Sequence, residues 1–411
     1  MKGSLPIRDK ADLLARSAVY DLCGSCSSAG GGRIKDPLGR WIYPAALPDG
    51  RTVRLLKVLQ TNLCRNDCSY CANRASRDVP RERFSPEELA RLFMDLSLAG
   101  IAQGLFLSSA VEAGPDHGMA RMIATAEIVR KRFEFNGYIH LKILPGASQA
   151  AIEHAATLAD RISINIEAPG PDALSRIARQ KDFRTEILPQ TEWIRRAVED
   201  RRFRARSHTT QFVVGAGGES DRDILRWCEW LYTKRRLSRA YFSAYQVPDE
   251  DTPLTAAPAP LMREHRLYQA DFLMRRYGFC YDELEFEPSG NLSLEVDPKQ
   301  KWADRHPEWF PVDILNADFE QLVRVPGIGP LTAKRICTLR AQRQTRFTTA
   351  SDLRRAGVIL ERAARYVVLG GRRLEPPPPA QMDLPFPAAD ECGPQVSPPP
   401  LLGLSSDAPC V

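Results

Sequence analysis

Residues 60–74, QTNLCRNDCSYCANR, contain Cys64, Cys68 and Cys71 in a C-x3-C-x2-C spacing. This loop is too short to bury three thiols by itself, but it is long enough to surround one metal centre. Zinc and iron–sulfur clusters both take thiolate ligands, usually four of them. Because the loop holds no His and no fourth Cys, the spacing favours an iron–sulfur cluster with one iron open to a non-protein ligand. The alternative is part of a zinc site whose fourth ligand is distant in the sequence.

The composition is that of an ordinary globular protein. The 411 residues are enough for two or three domains, and 43% of them are hydrophobic and 26% charged. No apolar run approaches the ~18 residues that a membrane span needs, and the N-terminus lacks the apolar segment of a signal peptide. The ten cysteines have no regular spacing, so we expect reduced thiols, no membrane association and a cytoplasmic location.

Basic charge is concentrated near the C-terminus. The whole chain carries a formal net charge of +6, while residues 313–373 contain twelve Lys and Arg against five Asp and Glu, a surplus of seven. The remainder of the chain is therefore close to neutral. A basic surface for a partner is expected in the C-terminal part.

From residue 53 onward, short apolar runs alternate with helical patterns, which is typical of β/α units with a parallel sheet. The predicted strands are 54–60, 104–109, 138–143, 161–166, 211–215 and 240–245. The predicted helices are 10–20 before the first strand, and 85–98, 117–132, 148–158, 185–199 and 221–235 between the strands. This pattern predicts an α/β fold with a partial (β/α)6 TIM-like barrel, in which the chemistry gathers at the carboxyl ends of the strands.

Polar residues and glycines stand at the predicted strand ends. The candidate binding residues there are Ser108, Ser109, Lys142, Asn165, Glu167 and Gly215. Each of them taken alone is more often structural. Their convergence with the cysteine loop on one rim of the barrel favours a ligand site.

After the barrel, residues 262–277 form a helical pattern with two interpretations. The helix closes the open edge of the barrel, or it contacts a substrate through Arg263, His265 or Tyr268. From residue 316 the pattern changes to two short helices around a glycine turn, VPGIGPLTAKRI. The spacing of the apolar residues predicts that the two helices pack together through Leu322, Val325, Ile328, Ala333 and Ile336.

This second pattern resembles a helix-hairpin-helix motif, which binds the DNA backbone without reading its sequence. Its glycines expose backbone N–H groups at a helix N-terminus, where phosphate binds readily. The predicted DNA-binding residues are Gly327, Ile328, Gly329, Lys334 and Arg335. A structural or protein-binding helix pair is the alternative. The predicted fold class is therefore a partial barrel followed by a small all-α helix-hairpin-helix domain.

Five segments follow from these patterns. They are an N-terminal helix with a Gly/Ser-rich loop (1–50), the partial barrel (51–250), a connector with the barrel-closing helix (251–312), the helix-hairpin-helix domain (313–373) and a disordered Pro-rich tail (374–411). The N-terminal loop contains Cys23 and Cys26 in a C-x2-C pair. The pair either binds a second cluster or acts as a redox pair, or it consists of two thiols in a flexible loop; the last is favoured.

From residue 10 to about residue 370, the chain resembles radical S-adenosylmethionine (radical SAM) enzymes, and among them the proteins of DNA modification or repair found beside uracil-DNA glycosylases. The segments that carry the resemblance are TNLCRNDCSYCANRASRDVPR, GLFLSS, YIHLKILPGAS, SINIEAP, TTQFVVGAGGESDRDIL, REHRLYQADFLMRRYGF and VPGIGPLTAKRI.

The resemblance implies a role for each matching residue. Cys64, Cys68 and Cys71 would bind a [4Fe–4S] cluster, whose fourth iron is chelated by S-adenosylmethionine. Residues that would contact this cofactor are Tyr70 and Gly215 near the adenine, Ser108 and Ser109 near the amino group, and Asn165 and Glu167 near the ribose. The acid that commonly follows the Ser108 position is absent here, although Glu112 is close. The acid expected three residues after Gly215 is replaced by Glu219, one position later.

The resemblance also implies a reaction. Reductive cleavage of S-adenosylmethionine would give a 5′-deoxyadenosyl radical that acts on DNA, bound through its backbone without sequence specificity. A flavodoxin or ferredoxin would donate the electron, and a uracil-DNA glycosylase is a suggested partner. The alternatives are an RNA-modifying radical SAM enzyme and a DNA-binding iron–sulfur redox sensor without turnover. No catalytic residue is assigned; Tyr241, Tyr245 and Lys142 are candidate hydrogen donors.

Overall fold

The computed structural model describes residues 5–18, 42–46, 52–248, 250–342 and 347–375. Cys23, Cys26 and the tail from residue 376 lie outside these ranges, so the predictions made for them are not addressed. Within these ranges, no helix has both the length and the apolar character needed to cross a membrane.

The core of the molecule is a seven-stranded sheet whose strands follow one another in chain order. They are β1 (Ile42–Ala46), β2 (Thr52–Leu59), β3 (Gly104–Ser108), β4 (Tyr138–Lys142), β5 (Arg161–Ser163), β6 (Ser207–Val214) and β7 (Arg239–Ala244). Strands β2–β7 are parallel, whereas β1 is antiparallel to β2 at the edge. Six parallel strands in this order confirm the partial barrel. Strand β1 was not predicted; its Pro44 is tolerated at a sheet edge.

Helices connect the parallel strands. They are α1 (Ile7–Ser17) before the sheet, and α2 (Pro86–Leu98), α3 (Pro115–Glu127), α4 (Gln149–Leu158), α5 (Pro171–Ile177), α6 (Leu188–Glu199) and α7 (Asp221–Arg235) between the strands. The sequence starts several of them with capping residues. Ser85 accepts a hydrogen bond from the Glu88 N–H while the Glu88 side chain accepts one from the Ser85 N–H, which satisfies two donors at the start of α2.

The two faces of the sheet differ in polarity. One face carries Leu56, Leu105 and Ile139, which join the main hydrophobic core under the helices. The register places Lys57, Phe106 and His140 side by side on the other face. There Lys57 is buried with its Nζ 4.3 Å from the centre of the Tyr43 ring, and His140 Nε2 lies 2.9 Å from Ser163 Oγ. The inner face therefore combines buried polar groups with a small apolar cluster of Ala45, Leu55 and Phe106.

Within the described part of the chain, no strand pairs with the free edge of β7, and side chains satisfy its backbone instead. The N–H of Ala240 donates to Tyr232 Oη at 3.0 Å. Tyr268 Oη accepts from the Phe242 N–H and donates to the Phe242 carbonyl, each at 3.1 Å. The N–H of Ala244 donates to the Glu264 carboxylate at 2.8 Å. Tyr268 and Glu264 belong to α8 (Leu261–Arg276), so this helix closes the open edge, the first of its two predicted roles.

The C-terminal part is mostly helical but not all-α. Its elements are α9 (Pro298–Arg305), β8 (Val312–Asp313), α10 (Phe319–Arg324), α11 (Pro330–Ala341), α12 (Ala350–Ala356), α13 (Leu360–Ala363), β9 (Val367–Leu369) and β10 (Arg372–Arg373). Strands β8, β9 and β10 form a three-stranded sheet, which corrects the all-α prediction. Strands of two or three residues show no alternating pattern. The turn Gly370–Gly371, with positive φ at both residues, was the available hairpin signal.

Helices α10 and α11 pack together as their apolar spacing predicts. Leu322, Val325, Ile328, Ala333 and Ile336 are all at most 1% exposed. The pair also contacts the barrel side of the molecule, because Lys299 Nζ donates to the Ile328 carbonyl and Arg324 forms an ion pair with Glu283. The hairpin is thereby held against the residues that follow α8.

We expect Tyr268→Phe to destabilise the fold, because it leaves the N–H and the carbonyl of Phe242 without their shared partner. The free energy of unfolding should fall by about 1–3 kcal/mol, measured by urea denaturation. Tyr281→Phe is the matched control, since it loses only one longer bond, 3.3 Å to the Arg222 carbonyl. Equal stability of the two variants would contradict the edge-closing role.

Candidate functional site

A cavity of about 240 Å³ opens at the carboxyl ends of the parallel strands. The cysteine loop forms one wall, and residues at the ends of β3 to β7 form the others. The predicted site residues that line it are Cys64, Cys68, Tyr70, Cys71, Ser108, Ser109, Lys142, Asn165 and Glu167. The structure therefore brings together nearly all of the barrel residues singled out from the sequence.

One arginine holds the backbone of the cysteine loop. The Arg81 guanidinium donates to the carbonyls of Asn62 and Asn73 at 2.7 and 2.9 Å, and to those of Arg74 and Arg77 at 2.6 and 2.9 Å. These carbonyls belong to residues on both sides of the three cysteines. Arg81 is therefore a positioning residue for the loop, which the sequence reasoning missed because it does not itself reach the cavity.

The loop is also tied to the barrel and to α1. The N–H and the hydroxyl of Ser69 both donate to the Ile177 carbonyl, at 2.9 and 3.0 Å. Asn73 Nδ2 donates to the Ser17 carbonyl at the end of α1, at 3.1 Å. The Asn73 N–H donates to Cys71 Sγ at 3.3 Å. These bonds fix the loop before any ligand is present.

The three thiols differ in exposure, because Cys68 is buried whereas Cys64 and Cys71 are half-buried. Burial raises the pKa of the Cys68 thiol and raises that of Cys71 to about 12. They stay protonated at neutral pH unless a cation lies beside them, and a bound metal supplies one. Among the described residues, no group of three His, Cys, Asp or Glu side chains could hold a single metal ion. A four-iron cluster takes its thiolates on separate irons, and the donor type and shared cavity fit such a cluster.

A buried lysine connects the predicted cofactor residues. Lys181 Nζ lies 3.1 Å from Glu167 Oε1 and donates to Tyr70 Oη at 3.0 Å. Burial opposes its charge, but the Glu167 carboxylate holds the pKa of Lys181 above its ordinary value. Asn165 Nδ2 lies 3.4 Å from the other Glu167 oxygen. Lys181 follows α5 in a loop without a recognisable motif, so no sequence signal pointed to it.

The backbone of Glu167 adopts an unusual conformation, with φ of 66°. A non-glycine residue in this region costs of the order of 1 kcal/mol. The conformation is held by two bonds to β6, from the Glu167 N–H to the Gln211 carbonyl and from the Val213 N–H to the Glu167 carbonyl. This places the carboxylate at the cavity wall, where it is 4% exposed.

Gly215 is the predicted cofactor residue that the structure does not bring to the cavity. A Cβ at this position would lie 2.9 Å from Ala259 Cβ and 3.2 Å from an Arg263 nitrogen, so the glycine allows the connector to pack closely. The Glu219 carboxylate accepts hydrogen bonds from the N–H groups of Gly215 and Gly217 and closes its own turn. Burial raises the pKa of Glu219.

The two serines at the end of β3 contribute mainly through small size and backbone. The Ser108 carbonyl accepts from the Gln60 N–H at 2.8 Å, and the Ser109 hydroxyl donates to the Ala110 carbonyl at 2.9 Å. Glu112 forms an ion pair with Arg83 at 2.6 Å and does not line the cavity.

The candidate hydrogen donors occupy different places. Tyr245 lines the cavity, is 2% exposed, and its hydroxyl has no hydrogen-bond partner among the described residues. Lys142 also lines the cavity, whereas Tyr241 does not. A buried hydroxyl normally has a hydrogen-bond partner. We therefore expect a bound ligand to supply the partner of the Tyr245 hydroxyl.

The predicted DNA-binding residues lie around a second cavity, of about 980 Å³, which we call the α8 groove. Gly327, Ile328 and Gly329 line it, whereas Lys334 and Arg335 are exposed outside it. The groove includes Arg239, the first residue of β7, while the cysteine cavity includes Ala244, the last. These two residues are about 16 Å apart along the strand, so the hairpin and the cysteines lie toward opposite ends of β7.

Residues 58–231 match the family model described as the Radical SAM superfamily. This segment contains the cysteine loop, strands β3 to β6 and Lys181, so it is a radical SAM domain. Such domains are enzymatic, and the family implies a [4Fe–4S] cluster and S-adenosylmethionine as cofactors; the subclass of reaction is left open. No curated protein matches the chain.

Several solved structures are similar in part. The FeFe-hydrogenase maturase HydG from Carboxydothermus hydrogenoformans is 15% identical with a TM-score of 0.41, and the match covers 53% of this chain and 50% of HydG. Methylornithine synthase PylB is 15% identical with a TM-score of 0.41, and the match covers 51% of this chain and 60% of PylB. A radical SAM methyltransferase from Sphaerobacter thermophilus is 14% identical with a TM-score of 0.39, and the match covers 56% of this chain and 73% of the methyltransferase. The chain thus spans about half the length of HydG. Similarity at this level carries no argument about substrate.

We expect Arg81→Ala to loosen the cysteine loop, because four carbonyls lose their common donor. Removing an outer partner of a metal site typically lowers metal affinity about 10–100-fold. The measurement is iron retained after anaerobic reconstitution and challenge with a chelator. Arg91→Ala, an exposed arginine on α2, should retain iron like the wild type. Equal iron loss from both variants would count against the positioning role.

Proposed function

We propose that this chain is a radical SAM enzyme that acts on DNA, in modification or repair. The observation that carries the radical chemistry is the shared cavity. Three thiols in the C-x3-C-x2-C spacing line it together with Tyr70, at the carboxyl ends of the strands of a radical SAM domain.

Cys64, Cys68 and Cys71 would hold the [4Fe–4S] cluster. When bound, the cluster and S-adenosylmethionine supply a 5′-deoxyadenosyl radical after one-electron reduction. The protein keeps the site oriented, because Arg81, Ser69 and Asn73 fix the loop, and Cys68 is buried while Cys64 and Cys71 are half-buried. A one-electron donor of the flavodoxin or ferredoxin type is the proposed redox partner.

The other polar side chains of the cavity have different proposed roles, according to their positions. Asn165 and Glu167 present an amide and a carboxylate at the end of β5, suitable for accepting and donating bonds with ribose hydroxyls. Lys181 neutralises Glu167 and adds positive charge near Cys68, which offsets the negative charge of thiolate ligands. Tyr245, directly after β7, and Lys142, the last residue of β4, offer donors to a substrate.

The DNA assignment rests on the C-terminal part. Residues 313–373 carry a surplus of seven positive charges, and the Gly327–Gly329 turn opens into the α8 groove. Phosphate contacts from such a surface position a nucleic acid without reading its sequence. Because the groove and the cysteine cavity lie at opposite ends of β7, the DNA has to extend along the protein from one to the other. The resemblance adds a uracil-DNA glycosylase as a proposed partner.

The test is anaerobic turnover. We expect reconstituted protein with S-adenosylmethionine and dithionite to form 5′-deoxyadenosine, with more product when DNA is added. Cys64→Ala, Cys68→Ala and Cys71→Ala should each abolish the product, because each removes one thiolate ligand. Cys280→Ala is the control, since this exposed thiol lies outside the cavity, and it should leave the product unchanged.

Other outcomes separate the alternatives. Stimulation by RNA but not by DNA would favour an RNA-modifying enzyme. A bound cluster without 5′-deoxyadenosine under any condition would contradict the proposal and favour a redox sensor. Equal activity in the Cys68→Ala and Cys280→Ala variants would remove the cysteine loop from the chemistry.

A further inference from the structure

The α8 groove has walls from separate parts of the chain. Helix α8 contributes one face of residues, among them His265, Phe272 and Arg276, from its middle to its C-terminal end. Along an α-helix this stretch is about 16 Å long. The opposite wall consists of the start of α9 and the two turns at Gly327–Gly329 and Gly357–Ile359.

The groove has an excess of positive charge. Of the described residues that line it, four are basic, Arg239, Arg276, Lys299 and Arg362, and one is acidic, Asp297, which pairs with Arg362. Among the described residues, neither Arg239 nor Arg276 forms an ion pair. Burial, followed by the neighbouring Arg362 charge, lowers the pKa of Lys299 to about 7. The basic side chains of the groove therefore have too few acidic partners, which favours an anionic ligand.

Arg239 provides the most specific sign of a missing partner. Its Nε and one Nη are shielded from solvent and have no hydrogen-bond acceptor among the described residues. Its guanidinium stacks instead near the rings of Tyr241 and Tyr268, at 4.9 and 5.8 Å. Shielded donors of this kind are normally paired. Within the part of the chain that the structure describes, Arg239 is therefore a cation without a compensating partner at the wall of the groove, which favours an anionic ligand beside it.

Exposed apolar side chains accompany the basic ones. Phe272 is 44% exposed, Ile359 50% and Leu331 85%, and all three line the groove. A DNA duplex presents phosphates on its outside and keeps its bases stacked inside, so its bases cannot contact these side chains. Unpaired bases do stack on aromatic rings, while their phosphates contact neighbouring cations.

We infer that the α8 groove binds a single-stranded segment of nucleic acid, with Arg239 and Arg276 on phosphate and Phe272 stacked on a base. The inference rests on the proposed function and specifies its substrate, since it requires an unpaired strand rather than an intact duplex. It also gives the strand a path along α8, whose N-terminal part lies beside Ala244 near the cysteine cavity and whose C-terminal end lies in the groove.

The experiment measures binding of the full reconstituted chain by fluorescence anisotropy. The probes are a labelled oligothymidylate of about 15 nucleotides and a duplex of equal length, each at two salt concentrations. We expect the single strand to bind more tightly than the duplex. Phe272→Ala should weaken single-strand binding about tenfold and leave duplex binding unchanged. Arg276→Gln should weaken both and reduce the salt dependence.

Matched controls make the result specific. Phe319→Ala removes a phenylalanine that is 41% exposed but lies outside the groove, and Arg196→Gln removes an exposed arginine on α6. Both should bind like the wild type. The inference is overturned if Phe272→Ala and Phe319→Ala behave alike, or if the duplex binds as tightly as the single strand.

Further outcomes show whether the groove inference or the proposed radical chemistry is wrong. Thymidine monophosphate and inorganic phosphate are tested as competitors. If either displaces the oligonucleotide at a concentration close to the dissociation constant of the oligonucleotide, the groove is a site for small phosphates and the inference fails. Because 5′-deoxyadenosine formation is measured separately, a chain that produces it without binding single strands refutes the groove alone. A chain that binds single strands but forms no 5′-deoxyadenosine refutes the radical chemistry instead.

Discussion

The open edge of β7 is the constraint on which the remaining architecture depends. A parallel sheet that stops after six strands leaves a row of backbone groups that would otherwise pair with another chain. Tyr232, Glu264 and Tyr268 satisfy the Ala240, Phe242 and Ala244 N–H groups. Tyr232 belongs to α7, whereas Glu264 and Tyr268 belong to α8, so α8 lies along the second half of β7. Tyr268 and its neighbours on α8 also form a wall of the α8 groove. Edge closure and groove formation thus have one structural cause.

The cysteine loop depends on a different balance, between desolvation and charge. Burial raises the pKa values of the Cys68 and Cys71 thiols and so opposes their ionisation. The positive charge of Lys181 favours the ionised form of the Cys68 thiol. Arg81 holds the backbone of the loop without entering the cavity. The site is therefore shaped in advance for a group that brings its own positive charge, as a metal cluster does.

The sequence predicted the parts of the site that depend on local pattern. Cysteine spacing and the polar residues at strand ends placed Cys64, Tyr70, Ser108, Asn165 and Glu167 around one cavity, because carboxyl ends of parallel strands meet. Contacts between distant segments were not predictable in this way. Lys181 and Arg81 act through contacts with no motif, Gly215 packs against a connector without regular pattern, and the strands of the C-terminal sheet are too short for periodicity.

The most direct test of the central claim is a Mössbauer spectrum of protein reconstituted with iron-57, recorded with and without S-adenosylmethionine. We expect the spectrum of a [4Fe–4S] cluster in which one iron of four changes its signal when S-adenosylmethionine is added, since three irons would carry Cys64, Cys68 and Cys71 and the fourth would be open. A protein that binds no cluster, or a cluster whose four irons do not respond to S-adenosylmethionine, would contradict the central claim.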